Sequence, residues 1–182
     1  MTQDYIRDKV RQLINKYDSR NPIDIIREEN IIMKYFPYET KLLGMYAVID
    51  DIRFLFLNGN IDDFTTRMVL AHELGHDQLH RSLASISNLK EYEMFHVKDE
   101  IEYQANLFAA ELLLDDSEVY ELAKNGYSDI EIASLLGVDV NMLLFKIRIM
   151  FSDKPNIYNI NNPEPNFLLS LRENNFKNDY CC

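Results

Sequence analysis

Cysteine is nearly absent from this 182-residue chain, and the two that occur, Cys181 and Cys182, are neighbours at its end, where a ring between them would staple nothing. A disulfide framework is thereby excluded, the pair is no prenylation box, and it reads as an incidental tail rather than a metal site. Long apolar runs are missing as well. None approaches the length needed to cross a bilayer, and Met1–Lys9 lacks the features of a secretory leader, so a cytoplasmic protein without a membrane partner is expected. Basic charge is scarce, with 19 Lys and Arg against 30 Asp and Glu. The resulting net charge of −11 repels phosphate backbones and favours basic partners, which argues against direct DNA binding.

What is present is enough for a core: 47% hydrophobic and 27% charged residues over this length imply one main globular domain with room for a small appendage. Its most informative stretch is Val69–His80, VLAHELGHDQLH. On an α-helix, residues four apart lie one above the other, so His72 and His76 project from one face at a spacing that suits a single metal ion. Glu73 emerges about 100° round the helix, still beside that face. Zinc favours neutral imidazoles in a tetrahedral shell, and a catalytic site leaves one position for a water that a nearby carboxylate can deprotonate. One Zn2+ ion is therefore the expected cofactor, and Glu73 the expected base. Val69, Leu70 and Leu74 give the helix an apolar side, while Gly75, costly in a helix interior, points to close approach by another element. His80, two turns from His72, reads as a structural histidine or a partner of a ligand.

Before this helix, Ile6, Val10, Leu13, Ile14 and Tyr17 recur at helical spacing, and Asn21-Pro22 opens a second, shorter helix through about Glu29. From Ile31 the pattern turns to β-branched and aromatic residues. IIMKYF, MYAVI and IRFLFL read as three strands, the last two a hairpin across Asp50-Asp51, and Asn58-Gly59-Asn60 ends the sheet. Beyond the metal helix, Arg81–Lys98 lacks clear periodicity and reads as a loop or short helix beside the cleft.

Asp99–Leu114, DEIEYQANLFAAELLL, forms a strong helical pattern in which acidic residues compete for the role of third ligand. Glu100, Gln104 and Glu111 share a polar side, the expected solvated face. Glu102 instead aligns with Ala105, Asn106 and Ala109, small residues that permit tight packing. A carboxylate entering the interior on that side needs a cation, which selects Glu102. Asn106, one turn on, can hydrogen-bond a ligand.

HELGHDQLH followed by EYQANLFAAELLL resembles the ImmA/IrrE family of zinc metallopeptidases, over the N-terminal two-thirds of the chain in order of elements. The resemblance implies a compact zincin-like fold with His72, His76 and Glu102 as ligands and Glu73 as catalytic acid and base. Two positions depart from the pattern: many members carry Glu where this chain has Gln104, and Pro where it has Asp115. A donor for the oxyanion is still to be found, with Tyr46, His96 and Tyr103 as candidates and none preferred.

Towards the end, Asp116–Lys124 reads as a helix and Ser128-Asp129-Ile130-Glu131 as a capping box opening a helix, a Gly-containing turn and another helix. This resembles a helix-turn-helix, an element that the family carries after its protease part. Asp129, Glu131 and Asp139 are acidic, and Lys146 and Arg148 come late in the second helix, so a packing or protein-docking role is favoured over DNA contact. After Phe151 the composition turns to Asn, Pro and Lys, with FLLSL at Phe167–Leu171 able to dock a last turn.

The expected fold class is α+β, zincin-like, with a small, mostly antiparallel three-stranded sheet packed on helices and a C-terminal helix-turn-helix-like segment. Its expected domains are 1–124, the metallopeptidase; 125–151, the helical segment; and 152–182, the irregular tail. The function implied by the resemblance is a site-specific zinc endopeptidase whose substrate is a basic helix-turn-helix repressor of a phage or mobile element. The rival is a zinc-containing regulator that binds DNA or protein without proteolysis.

Overall fold

The computed structural model describes residues 1–86, 89–91 and 100–151. His96, the FLLSL stretch, Cys181 and Cys182 lie outside the described residues. Two compact units divide the chain, Met1–Leu113 and a second from Leu114 onward. No helix among the described residues is long and apolar enough to cross a membrane.

The first unit is α+β. Helix α1, Gln3–Tyr17, starts at Thr2, whose hydroxyl caps the Tyr5 amide, and buries Ile6, Val10 and Leu13. Helix α2, Pro22–Glu28, has the expected start: the Asn21 side chain accepts from Ile23 N at 3.1 Å, and Pro22 occupies the first turn. Strands β1 (Ile32–Tyr35), β2 (Gly44–Ile49) and β3 (Ile52–Leu57) are the three expected from the sequence. The β2–β3 hairpin turns on Asp50 and Asp51, with φ of 51° and 61°. Positive φ at both central residues matches the right-handed twist of the strands, and Asp tolerates that region better than most side chains.

Helix α3, Asp63–Ala84, follows and is capped by Asp62. A short fourth strand, β4 (Leu89–Glu91), pairs antiparallel with β2, so among the described residues the sheet order is β1-β3-β2-β4. Of the stretch Arg81–Lys98, which the sequence reads as loop or short helix, the described residues include the end of α3 at Ala84 and the strand Leu89–Glu91. Three residues carry too little periodicity to announce a strand. The β1–β3 pair is parallel and the other two are antiparallel.

Helix α4, Glu100–Leu113, packs along α3. A Cβ on Gly75 would lie 3.2 Å from the Ala105 carbonyl and 3.2 Å from Phe108 Cβ, so the close approach that this glycine implies is made by α4. Ala105 and Ala109 are fully buried at that contact side. The polar side of α4 is not the solvated face that helical periodicity implies: Gln104 and Glu111 are buried, and only Glu100 of the three is exposed. Helix α1 covers this side, with Arg7 Nε 3.4 Å from Glu111 Oε1, so a charge distant in sequence makes the burial tolerable.

The second unit holds α5 (Asp116–Lys124), α6 (Asp129–Leu136) and α7 (Val140–Met150). The capping box is formed, with Ser128 N donating to Glu131 Oε2 at 2.8 Å, and Gly137 closes α6 at φ 63°. Lys146 on α7 is fully buried with its ammonium against Asp116. One of the two late cations on that helix is therefore withdrawn from any phosphate.

Candidate metal centre

Helix α3 places His72 and His76 four residues apart on its buried side, and α4 brings Glu102 across to them. His72 Nε2 lies 3.2 Å from Glu102 Oε2, His76 Nε2 lies 3.6 Å from Glu102 Oε1, and the two Nε2 atoms are 3.0 Å apart. Donors that share a tetrahedral ion at about 2.0–2.1 Å sit roughly 3.3 Å from one another. Two imidazoles and a carboxylate at these separations fit one such ion. Among the described residues this is the group of His, Cys, Asp and Glu side chains placed to hold a metal.

Electrostatics favour positive charge at the same point. Burial pushes the His76 imidazole down to about 4, despite the neighbouring carboxylate, so it is neutral near pH 7 as a metal ligand must be. Burial alone would raise the Glu102 carboxyl, but its contacts with His72 and His76 outweigh that and hold it well below the usual carboxylate range. On the far side of His72, Nδ1 lies 3.0 Å from Asn106 Oδ1. A carbonyl oxygen only accepts, so His72 donates from Nδ1 and keeps Nε2 turned to the cluster.

Glu73 is fully buried beside His72. Its position depends on Gly44 in β2. A Cβ there would come within 2.5 Å of Glu73 Oε1 and 2.7 Å of Val69 Cγ1. The sheet thus approaches the helix so closely at this carboxylate that only a hydrogen atom fits.

Three further residues stand out in the sequence as candidates, and the structure treats them differently. Tyr46 is fully buried and donates from its hydroxyl to Asp77 Oδ1 at 2.7 Å, so its proton is directed to that carboxylate. Burial and the Asp77 contact both raise its pKa. Tyr103 Oη accepts from Gln3 Nε2 at 3.1 Å. His96 lies outside the described residues.

Two networks surround the site; the first was not legible in the sequence, and of the second only His80, read as a structural histidine or a partner of a ligand, was. Asp77 next to His76 is fully buried and gathers Tyr46, Arg53 at 3.2 Å and Arg81 at 3.0 Å, while Arg53 also donates to the Glu29 carbonyl and faces the Glu29 carboxylate at 3.3 Å. These contacts tie α3 to β2, β3 and the end of α2. The second runs from His76 through His80 to Gln104 and Glu100. Its signal in the sequence was the pair of four-residue spacings, His76 to His80 and Glu100 to Gln104.

A family model described as the IrrE N-terminal-like domain, of peptidase type, matches residues 27–148. The chain is 32% identical over 141 residues to "uncharacterized immunity region protein 2" of Bacillus phage phi105, covering 78% of this chain and 88% of that protein. It is 29% identical over 156 residues to metallopeptidase ImmA of Bacillus subtilis (strain 168), covering 84% and 90%.

Proposed function

The chain belongs to the peptidase family of the IrrE N-terminal-like domain, and from that premise we propose that it is a zinc-dependent endopeptidase that cuts one specific protein, a basic helix-turn-helix repressor of a phage or mobile element, and so relieves repression. The observation that carries the reading is the convergence of His72, His76 and Glu102 with their ligand atoms 3.0–3.6 Å apart, and Glu73 on the helix of the two histidines. Support for an immunity role comes from the relatives, one named for a phage immunity region and the other a metallopeptidase. The acidic balance of the chain, −11, suits a basic substrate.

His72, His76 and Glu102 would hold the zinc, which when bound supplies a Lewis acid that acidifies water towards neutrality and polarises a peptide carbonyl. The rest falls to the protein's own groups. Glu73 takes a proton from the attacking water and returns it to the leaving amine nitrogen as the peptide bond breaks. Asn106 holds His72 in the orientation that presents Nε2. Gly44 leaves space for the Glu73 carboxylate. Gly44→Ala is accordingly expected to lower cleavage about 100-fold, the cost of misplacing a reacting group by an ångström, while zinc affinity changes little. Steady-state kinetics beside a zinc competition titration would check this, and equal loss of both would contradict it.

Co-expression of the chain with the proposed substrate, a basic helix-turn-helix repressor, tests the whole reading. A discrete repressor fragment that disappears when zinc is chelated is expected. An intact repressor in the presence of zinc-loaded chain rejects the substrate, and salt-sensitive DNA binding without cleavage would put a regulator in the peptidase's place.

A further inference from the structure

Residues 36–43 join β1 to β2 without regular secondary structure, and they cross the end of β3 to do so. Strand β1 finishes with Tyr35 beside Leu57, and β2 starts with Gly44 on the other side of the same residue. Asn58 follows Leu57 and so stands where the connection crosses. Its side chain donates from Nδ2 to the Thr40 carbonyl at 3.1 Å and to the Leu42 carbonyl at 2.9 Å, and its backbone N–H donates to the Leu43 carbonyl at 3.0 Å. Oδ1 accepts from the Asn60 backbone N–H at 2.9 Å. Carbonyls only accept and a backbone N–H only donates, so these partners fix which way the amide faces. No ionisable group takes part.

Asparagine meets these demands because it carries both donors and an acceptor on a short stem. Aspartate has the shape but no donor, and an apolar residue has neither. The carbonyls it serves belong to an irregular stretch with no strand partner of its own to satisfy them. This anchoring ends one residue before Gly44, where β2 meets α3 so closely that a Cβ would come within 2.5 Å of Glu73 Oε1 and 2.7 Å of Val69 Cγ1. Those atoms block motion of Gly44 towards α3. Motion away from α3 is resisted by the Asn58 bonds, because Leu42 and Leu43 cannot leave Asn58 without losing them. The Leu42 side chain is buried as well and pins the same point.

We propose that Asn58 is a positioning residue for Glu73: by holding the carbonyls of Thr40, Leu42 and Leu43 it keeps the start of β2 against α3, and Gly44 in turn bounds the space in which the Glu73 carboxylate lies. The inference rests on the reading of Glu73 as the acid–base group and deepens it by naming a residue on another element that sets its place. The turn Asn58-Gly59-Asn60, which in the sequence marks only the end of the sheet, thus has a second task.

Asn58→Asp keeps the shape and the acceptor for the Asn60 N–H but removes both side-chain donors. In the zinc-loaded chain, kcat for cleavage of the proposed repressor should fall about 10-fold, less than for Gly44→Ala because the strand is loosened rather than displaced, with KM and zinc affinity near wild type. The double variant Gly44→Ala/Asn58→Asp should be no slower than Gly44→Ala alone, since both changes act on one carboxylate and losses from groups acting as a unit do not multiply. A wild-type kcat in Asn58→Asp, an equal loss of zinc affinity, or losses that multiply in the double variant would overturn the proposal. In the wild-type chain the Asn58 side-chain amide protons, held by two carbonyls, should exchange with solvent at least about 10-fold more slowly than those of an exposed asparagine. Exchange at the exposed rate would overturn the proposal without any cleavage assay. Should Asn58→Asp not fold, these exchange rates and Asn58→Ser, expected to show the same fall in kcat, decide. A wild-type chain with protected Asn58 protons that leaves the repressor intact would instead defeat the peptidase reading, and is told apart from a failure of the anchoring.

Discussion

Glu73→Gln is expected to lower cleavage of the matched repressor by about 10²–10⁴-fold, the range that a positioned acid–base group contributes, with zinc content unchanged. The substitution keeps shape and removes only the capacity to accept and return a proton. Glu73 does not belong to the three-donor group formed by His72, His76 and Glu102, so its charge is not needed to hold the ion. It is fully buried against the Gly44 backbone, so a glutamine of the same volume fits the same space. Band intensities of the repressor fragment against time, with metal analysis of the same preparation, give both quantities. Cleavage at the wild-type rate would remove Glu73 from the mechanism, and loss of zinc together with activity would mean that it serves the ion and not the proton.

The second large effect is at Glu102. Glu102→Ala removes the anionic member of the cluster and leaves only the two imidazoles, so zinc affinity should fall by more than the roughly 10- to 100-fold that loss of an outer hydrogen-bond partner costs. Binding to the folded state alone also raises stability, by about 2.7 kcal/mol when zinc stands at a hundred times its dissociation constant. Thermal melts of the wild-type chain with and without zinc should therefore separate, and those of Glu102→Ala should coincide.

How much of this was legible in the sequence follows from how local each feature is. The pairing of His72 with His76 is a property of one helical turn, and the Asn21-Pro22 start, the Asp50-Asp51 hairpin and the Ser128 capping box are set by neighbours in sequence. The approach of Glu102 to these histidines was approachable because α4 carries small residues on the side it presents. The polar side of that same helix shows the limit of such reading. Periodicity says only that Gln104 and Glu111 differ from the apolar stripe. Whether they meet water or another helix depends on distant partners: His80 on α3 for Gln104, and Arg7 on α1, more than a hundred residues away in sequence, for Glu111. The Tyr46–Asp77–Arg53 network and the parallel pairing of β1 with β3 are likewise non-local, and β4 is too short to carry a pattern.

The claim on which the rest depends is that two imidazoles and one carboxylate, from α3 and α4, share a single ion. Zinc K-edge X-ray absorption on the purified, zinc-loaded chain measures this directly. The account predicts a four-coordinate first shell of nitrogen and oxygen only, with the multiple-scattering signature of two imidazoles, and loss of that shell in Glu102→Ala. Sulfur in the first shell, a single imidazole, or an unchanged spectrum in Glu102→Ala would contradict it.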